Sequence, residues 1–464
     1  MNLVGKSVTV VGLAKSGVSA ALLLRSKGAD VRATDGKPAA ELGDAPAMLE
    51  KAGVKLFVGG HPDEAIAGSS LVVTSPGVPW TAKPLAQARS ENIPLIGELE
   101  LAWRLMPAGV VVIAITGSNG KSTTTTLTAH LLSSSGIDTW VGGNLGLPLS
   151  ELVRAGKTPR CAVVEVSSFM LETCDTFAPN VGAILNVSPN HLDRHKDFEE
   201  YVSLKAKIWK NGTRDAWRLF NRDDAAVARA AAQAPGRPLS FGLGAAPVAG
   251  GAGYQWTPQS SAVQVRVPLE GGGGESEVYD LAEFPSPGAH NAANAAAAIL
   301  MARLAGAAPA SIPAALKSFS PLEHRLESCG FGRGVRFFND SKATTTEAVS
   351  KSLAVFDRNV ILLAGGKDKG GDWAGLVPSV KGRVKRLVTF GTHKDLIADA
   401  LGGSTEAIRE PDLAAAFARA TDVAKSGDVV LFSPGCASYD QFQNFEDRGR
   451  RFKALVASWI GGPT

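Results

Sequence analysis

The feature of this sequence that most constrains its fold is an apolar strand that leads directly into a glycine-rich loop and a helix. The predicted strand covers residues 110–115, the loop covers residues 116–123 (TGSNGKST), and the helix reaches about residue 134. Glycines let successive backbone N–H groups turn inward towards an anion, and the start of a helix adds positive potential. The segment therefore predicts a phosphate-binding loop at the end of a strand in an α/β domain.

Individual residues of this loop suit different parts of a bound triphosphate. Lys121 can reach the terminal phosphates, and the Ser122 hydroxyl can ligate magnesium. Ile115 occupies the first glycine position of the general Gly-x-x-x-x-Gly-Lys pattern, so the flanking strand and helix support the interpretation more than the pattern does. The alternative is a glycine-rich surface loop without a ligand. The predicted triphosphate-binding residues of the loop are Gly117, Ser118, Asn119, Gly120, Lys121, Ser122 and Thr123.

Two further apolar strands end in residues that suit a magnesium site. Residues 161–164 lead to Glu165, and residues 181–187 lead to the segment Asn-His-Leu-Asp-Arg-His at 190–195. Ligands bind at the carboxyl ends of parallel strands, so Glu165 is expected to approach a magnesium ion held by phosphates. Without the preceding phosphate loop, Glu165 would be interpreted as a solvated residue at a strand end. The spacing of His191 and His195 imitates a zinc site, but no further ligand set follows, and we favour His191 at a magnesium–phosphate site.

The N-terminal region predicts a Rossmann-type βα unit. A strand at 7–11, a turn at 12–17 and a helix at 18–27 are followed by a second strand at 31–34 that ends in Asp35. Ala14 stands where the dinucleotide fingerprint has its second glycine, which would let the backbone touch a pyrophosphate. We therefore favour a tight strand-to-helix turn, with a nicotinamide cofactor as the weaker alternative.

The middle of the chain predicts an antiparallel addition and a helix with a polar face. Residues 232–290 are rich in glycine, proline and alanine, and glycines 271–274 would join hairpin strands such as 263–267. An alanine-rich helix follows from His290, with Asn291 and Asn294 three residues apart on one face. These amides either read an adenine edge or cap the helix.

The final third repeats the strand, loop and helix pattern. Predicted strands at 335–338, 360–364 and 429–432 lead into polar loops at 339–344, 365–369 and 433–438. Because such strand ends converge on one face, we expect a carboxylate-binding surface there, with ordinary solvated lysines as the alternative.

Length and composition limit the class of protein. A chain of 464 residues suggests about three domains. The net charge of +4 is too small to indicate a nucleic-acid or membrane partner, and no apolar run is long enough to span a bilayer. Residues 1–17 suit a strand and turn better than a signal peptide. The four cysteines form no Cys-x-x-Cys pair, which favours reduced thiols and a cytoplasmic protein.

These motifs together resemble the Mur ligases over nearly the whole chain. Loop 116–123 matches the family's phosphate loop, residues 165–172 its Glu-Ser-Ser-Phe segment, and residues 190–194 its histidine motif. The segments 324–327, 340–344 and 433–445 resemble the third-domain signatures, and 340–344 favours the glutamate-adding branch. The resemblance implies an α/β fold with a Rossmann-like UDP-binding domain at 1–97, a central P-loop ATPase-type mononucleotide-binding domain at 98–321, and a Rossmann-like glutamate-binding domain at 322–464.

The resemblance also implies an activity. It is the ATP-dependent ligation of D-glutamate to UDP-N-acetylmuramoyl-L-alanine through an acyl phosphate and a tetrahedral intermediate, for peptidoglycan synthesis, with ADP and phosphate released. We expect a cytoplasmic monomer whose domains close on the substrates. The open alternatives are an L-glutamate-adding variant and a sibling ligase, including one that extends folate. A nucleotide switch would need a base-reading Asn-Lys-x-Asp motif, which the sequence lacks.

Site residues follow from the same resemblance. Lys121, Glu165, His191 and a carbamylated Lys205 are the expected catalytic residues, and Ser122, Glu165, His191 and Lys205 are expected to hold two Mg²⁺ ions. ATP is also assigned to Asn291, Asn294, Arg325 and Asp340. The incoming glutamate is assigned to Lys342, Thr344, Lys369, Ser438 and Phe445. The UDP group is assigned to Lys15, Ser16, Asp35, Gly36, Lys37 and Ser75, and the muramoyl end to Asn144 and His191. The chain departs from the family at Met170, usually glutamine, at Asn190, often acidic, and at Gly36 and Lys37, often a hydroxyl residue and arginine.

Overall fold

The computed structural model describes residues 1–189, 194–257, 260–268, 276–286, 288–368 and 370–461. These residues divide into two compact units. The first unit, Met1–Glu283 with Ala292–Phe319, contains two sheets, and the second, Phe284–Asn291 with Ser320–Thr464, contains a third. Three α/β sheets along the chain confirm the expected three-domain architecture.

The N-terminal sheet is fully parallel, with strand order β3-β2-β1-β4-β5. Its first helix begins three residues earlier than the sequence suggested, directly after the turn. The turn is tight because a Cβ at Gly17 would lie only 1.7 Å from the Gly12 carbonyl oxygen. The elements are β1 (Ser7–Val11), α1 (Lys15–Ser26), β2 (Asp30–Asp35), α2 (Ala45–Lys51), β3 (Lys55–Val58), β4 (Leu71–Thr74), α3 (Lys83–Ser90), β5 (Leu95–Gly97) and α4 (Glu98–Arg104).

The central sheet has the described strand order β14-β13-β12-β11-β10-β9-β6-β8-β7. Its strands are parallel from β7 to β12, whereas β12, β13 and β14 pair antiparallel. The elements are β6 (Val111–Thr116), α5 (Lys121–Ser134), β7 (Thr139–Gly143), α6 (Leu149–Arg154), β8 (Cys161–Glu165), α7 (Ser168–Glu172), β9 (Val181–Ile184), α8 (Phe198–Ala206), β10 (Trp217–Asn221), α9 (Ala225–Gln233), β11 (Arg237–Leu243), β12 (Gly251–Trp256), β13 (Ser261–Arg266), β14 (Ser276–Asp280), α10 (Ala289–Leu304) and α11 (Ile312–Ser318).

The antiparallel strands and the end of β9 are the parts of this sheet that the sequence predicted in detail. The antiparallel addition is confirmed, while the glycines at 271–274 that would join β13 and β14 lie outside the described residues. Strand β9 ends at Ile184, so its expected extension to residue 187 was wrong. The reason is local, because Asn186 bonds to the phosphate loop and the Val187 backbone N–H donates to Asp224 Oδ2 over 2.7 Å.

The third sheet has the order β15-β16-β20-β17-β18-β19, with β15 antiparallel to an otherwise parallel sheet. The three strands expected before polar loops are confirmed as β16, β17 and β20. The elements are β15 (Glu327–Gly332), β16 (Val335–Asn339), α12 (Thr346–Leu353), β17 (Val360–Gly365), α13 (Val377–Val380), β18 (Val384–Phe390), α14 (Lys394–Leu401), β19 (Ala407–Arg409), α15 (Leu413–Val423), β20 (Val429–Gly435) and α16 (Phe445–Gly461).

Three interior strands of the second and third sheets are buried along their whole length. Every residue of β8, β17 and β20 is buried, as expected for parallel strands covered on both faces. Their polar neighbours therefore lie at the strand ends, where the candidate site residues are found. Among the described helices, none combines the length and the apolar character that a membrane span requires.

Candidate active site

The phosphate loop follows β6 and ends where α5 begins. Gly120, the residue before α5, has φ +81°, a conformation that favours glycine. A Cβ at this position would lie 2.4 Å from Oδ1 of Asn294, so the α10 amide packs directly against the loop. The structure thereby places Asn294 beside the phosphate loop. Asn291 belongs to the other compact unit, where its backbone N–H donates to the Gly288 carbonyl.

Hydrogen bonds fix the shape of the loop. Nζ of Lys121 donates to the carbonyls of Gly117 at 2.9 Å and Ser118 at 3.0 Å. The backbone N–H of Asn119 donates to Asn186 Oδ1 at 2.9 Å, and the Asn186 amide donates back to the Asn119 carbonyl. The segment after β9 therefore holds the loop in place, and the Lys121 ammonium lies over the loop's own carbonyls.

Glu165 lies at the end of β8 with only 2% of its surface exposed. Its Oε1 accepts a 2.8 Å hydrogen bond from Asn144 Nδ2, and its backbone carbonyl accepts from the Asn144 N–H. Its Oε2 is buried and has no hydrogen-bond partner within the described part of the chain. A buried carboxylate oxygen without a donor is costly unless a cation or donor meets it, so Glu165 fits a magnesium ligand.

Lys205 reaches the same loop from α8. It is 1% exposed, and its Nζ donates to the Gly117 carbonyl at 3.0 Å and lies 4.5 Å from the centroid of the Tyr201 ring. Burial, with some repulsion from Lys121, holds the pKa of Lys205 well below its usual range, while Glu165 opposes the shift. The structure therefore brings Lys121 and Lys205 to one loop, and the Glu165 carboxylate interacts electrostatically with Lys205 from the end of β8.

The histidine segment is described only in part. His191 lies outside the described residues, so its placement stays a prediction. His195 is 3% exposed, its Nε2 lies 3.2 Å from Ser168 Oγ, and its ring stacks near those of Phe169 and Tyr201. Burial lowers the pKa of His195. Among the described residues, no group of three or more His, Cys, Asp or Glu side chains is suited to hold a metal ion.

A cavity of about 930 Å³ lies where the N-terminal sheet meets α6. Asp35 shapes it, since Oδ2 accepts from the Leu13 N–H at 2.7 Å and Oδ1 accepts from the Lys37 N–H at 2.9 Å. Ser16 is not among the lining residues. The predicted UDP-binding residues that line the cavity are Lys15, Asp35, Gly36, Lys37 and Ser75.

Sequence reasoning missed the central-domain wall of this cavity. Leu147, Pro148, Glu151 and Arg154 line it from α6 and the segment before that helix. The wall is held in place because Glu151 Oε1 accepts a 2.7 Å hydrogen bond from Ser19 Oγ on α1. No sequence motif marks these residues, because a charged residue on a short helix looks like an ordinary solvated surface residue.

In the second unit, Asp340 is buried and hydrogen-bonded at the end of β16. Its Oδ2 accepts from Ser433 Oγ at 2.8 Å, and its Oδ1 accepts from the Leu326 N–H at 3.2 Å. Burial raises the pKa of Asp340 from 3.8 to about 6, and the nearby Arg325 charge opposes the rise. The structure therefore brings Asp340 and Arg325 together.

The residues expected to bind glutamate follow strands of the same sheet. Nζ of Lys342 lies 4.3 Å from the centroid of the Phe445 ring. Thr344 is half-buried, Ser438 is buried, and Lys369 lies outside the described residues. The close approach of Lys342 and Phe445 agrees with their expected common role.

Arg448 is a residue of this region that sequence reasoning missed. Its side chain is fully buried, and it donates to the Ser341 carbonyl at 2.7 Å and the Cys436 carbonyl at 3.0 Å. Burial lowers its pKa to about 10. The guanidinium thus joins the loops after β16 and β20, which carry Lys342 and Ser438.

Comparison with known proteins gives the family. The model for the N-terminal domain of MurD-like Mur ligases matches residues 6–97, that for the Mur ligase middle domain matches 115–302, and that for the Mur ligase glutamate ligase domain matches 324–436. A UDP-N-acetylmuramoylalanine–D-glutamate ligase of Acidobacterium capsulatum is 41% identical over 462 residues, which cover 99% of this chain and 98% of that protein. The chain belongs to the Mur ligase family.

As a Mur ligase, the chain is an ATP-dependent ligase. A second relative is the UDP-N-acetylmuramoylalanine–D-glutamate ligase of Geotalea daltonii. It is 40% identical over 468 residues, and the match covers 100% of this Mur ligase and 99% of that protein. Among solved structures, the MurF ligase of Thermotoga maritima in complex with ADP has a TM-score of 0.60 at 16% identity, covering 86% of this chain and 91% of that one. The structural similarity confirms the fold.

Proposed function

We propose that this Mur ligase joins D-glutamate to UDP-N-acetylmuramoyl-L-alanine and converts ATP to ADP and phosphate. The observation that carries the proposal is the convergence of Lys121 and Lys205 on the phosphate loop, with the Glu165 carboxylate at the end of β8, the strand beside β6. The glutamate ligase model over 324–436 and the two relatives named as D-glutamate ligases support the choice of amino acid.

The chemistry requires activation of a carboxylate, because a carboxylate resists attack by an amine. A carboxylate oxygen of the muramoyl-alanine substrate attacks the γ-phosphorus of ATP, and the bond from that phosphorus to the β,γ-bridging oxygen breaks to release ADP. The glutamate amine then attacks the acyl carbon to give a tetrahedral intermediate. Its collapse breaks the carbon–oxygen bond to the phosphate, and the amine loses a proton. Lys121 stabilises the charge on the transferred phosphoryl group.

Magnesium fits the residues present. Two Mg²⁺ ions would neutralise the crowded phosphate and carboxylate oxygens during transfer. Ser122, Glu165, His191 and a carbamylated Lys205 would hold them, and the unpartnered Glu165 Oε2 supports this assignment. Carbamylation needs a neutral amine, which the burial of Lys205 favours. The Lys205 nitrogen attacks the carbon of CO₂, a carbon–nitrogen bond forms, one oxygen takes the negative charge, and a proton leaves to solvent.

The three substrates are assigned to three regions of the chain. The proposed domains are 1–97 for UDP, 98–321 for ATP and 322–464 for glutamate, and each matched family model falls within one of them. Lys15 and Lys37 line the cavity and supply positive charge for the diphosphate. The muramoyl end is assigned to Asn144 and His191. The residues also assigned to ATP are Asn291, Asn294, Arg325 and Asp340, and those assigned to glutamate are Lys342, Thr344, Lys369, Ser438 and Phe445.

We also propose that the enzyme works as a monomer in the cytoplasm. The four cysteines are free thiols, as expected in a reducing compartment. Sedimentation at working concentration would test the monomer, and a dimer would contradict it.

Phosphate release tests the proposed reaction. The assay contains the enzyme, ATP, Mg²⁺ and UDP-N-acetylmuramoyl-L-alanine, with D-glutamate, L-glutamate, alanine or diaminopimelate added in turn. We expect release that depends on D-glutamate. Release with L-glutamate alone would make the chain the L-adding variant, and release with another amino acid would make it a sibling ligase. No amino-acid-dependent release would contradict the assignment.

A further inference from the structure

His195 lies between helices α7 and α8. Its Nε2 is 3.2 Å from Ser168 Oγ, and its ring centroid is 5.3 Å from that of Phe169, both in α7. On the α8 side, the Tyr201 ring lies 5.1 Å away at an interplanar angle of 33°. His195 therefore connects α7, which follows Glu165, with α8, which carries Lys205.

Tyr201 passes this contact on to the phosphate loop. The tyrosine is 2% exposed, its hydroxyl accepts from Ser118 Oγ over 3.4 Å, and the Lys205 Nζ lies 4.5 Å from its ring centroid. Aromatic rings pack with defined offsets, so the position of the Tyr201 ring depends on the ring beneath it. Removing His195 would leave space into which Tyr201 can move away from Lys205.

We propose that His195 is a positioning residue that holds Tyr201 against Lys205, and through it keeps Lys205 where its amine becomes carbamylated. The inference rests on the carbamylation of Lys205 proposed above. The proposal gives a role to His195, the second histidine of the His-x-Asp-x-His pattern. Within the described part of the chain, the hydrogen bonds and ring contacts of His195 involve none of the proposed metal ligands.

Two variants separate ring packing from simple loss of stability. His195→Phe keeps a ring between Phe169 and Tyr201 but lacks the Ser168 hydrogen bond, whereas His195→Ala removes both. His130→Ala is the matched control, because His130 also packs near an aromatic ring, that of Phe319 at 5.8 Å, and bonds to the Ala315 carbonyl of α11 rather than to the phosphate loop. Melting temperatures show which variants are folded.

The readouts are the ¹³C carbamate resonance of full-length enzyme in ¹³C-bicarbonate, and kcat at low and saturating bicarbonate. His195→Ala should lose most of the resonance and about ten-fold in kcat at low bicarbonate, a loss typical of a small misplacement, and should regain activity as bicarbonate rises. His195→Phe and His130→Ala should keep both the resonance and kcat within about two-fold, since neither leaves Tyr201 unsupported.

Other results would overturn the inference. One is a folded His195→Ala enzyme that keeps the full resonance and the full kcat. Another is a loss of kcat in His195→Ala that added bicarbonate does not restore. The third is a folded His195→Phe enzyme without the resonance. If His195→Ala does not fold, His195→Phe alone decides. A wild-type enzyme that ligates D-glutamate but shows no carbamate resonance would refute the carbamate itself, and the inference with it.

Discussion

Asn144 donates a 2.8 Å hydrogen bond to Oε1 of Glu165, a carboxylate whose other oxygen has no hydrogen-bond partner among the described residues. The amide therefore fixes the carboxylate and leaves one oxygen available for a cation. Loss of a residue that orients a metal ligand in this way typically costs about 10- to 100-fold in metal affinity or activity.

Asn144→Ala should weaken magnesium binding. Without the amide, both Glu165 oxygens lack a fixed donor, so the Mg²⁺ concentration that gives half-maximal activity should rise about ten-fold. Titration of activity with Mg²⁺ measures this change. Glu165→Gln, which removes the charge itself, should have the larger effect. An unchanged Mg²⁺ requirement in both variants would contradict the assignment of Glu165.

Gly120→Ala should damage ATP binding. The added Cβ would meet Asn294 Oδ1 at 2.4 Å and sit at φ +81°, so the loop must shift away from its phosphate-binding shape. We expect KM for ATP to rise at least about ten-fold, since phosphate binding depends on the aligned backbone N–H groups.

Gly109→Ala is the control for backbone strain in that experiment. Gly109 has φ +88°, a Cβ added there would meet no atom within 4 Å, and the residue precedes β6 outside the loop. The variant should lose about 1–2 kcal/mol of stability from the left-handed conformation but keep its KM for ATP. Equal changes in KM for the two variants would assign the effect to strain alone.

Arg154→Ala should weaken binding of the UDP-linked substrate. Arg154 lines the cavity that also contains Lys15 and Lys37, and it pairs with the Glu151 carboxylate there, so its removal lowers the positive charge facing a diphosphate. We expect KM for that substrate to rise about three- to ten-fold, with KM for ATP and D-glutamate unchanged. Lys157→Ala, which removes an exposed charge that does not line the cavity, is the control. Parallel changes in all three KM values would contradict the prediction.

Asp340 should make stability depend on pH in a defined direction. The folded enzyme holds the Asp340 proton until about pH 6, whereas an ordinary aspartate releases it near 3.8. The folded state therefore binds more protons between these values, and the Asp340 contribution to the free energy of unfolding falls as pH rises through this window.

Asp340→Asn removes this titration. Urea unfolding gives the free energy of unfolding of both proteins. The value for wild type minus the value for Asp340→Asn should decrease by on the order of 1–3 kcal/mol as the pH rises from about 4 to about 7. A difference that is constant over this range would show that Asp340 titrates at its ordinary pKa.

Much of this site follows from local sequence. The phosphate loop, Glu165 and the strand ends of the third sheet were predicted because each depends on a strand and the few residues after it. The apolar pattern predicted that β9 reaches residue 187, three residues too far. It could not show that Asn186 bonds to the phosphate loop at Asn119, because that contact joins segments far apart in the sequence.

Other residues could not have been found without the fold. Lys205 is one lysine in a polar helix until packing buries it against Gly117, and its role came from family resemblance. Arg154 and Arg448 had no such support. Each gains its position from segments far away in the chain, as when Arg448 joins Ser341 to Cys436.

Transfer of an ¹⁸O label tests the central claim most directly. UDP-N-acetylmuramoyl-L-alanine labelled in its carboxylate is incubated with ATP, Mg²⁺ and D-glutamate, and the released phosphate is analysed by mass spectrometry. Activation as an acyl phosphate predicts that each product formed leaves one carboxylate oxygen in the phosphate. Unlabelled phosphate, released together with the ligated product, would contradict the mechanism.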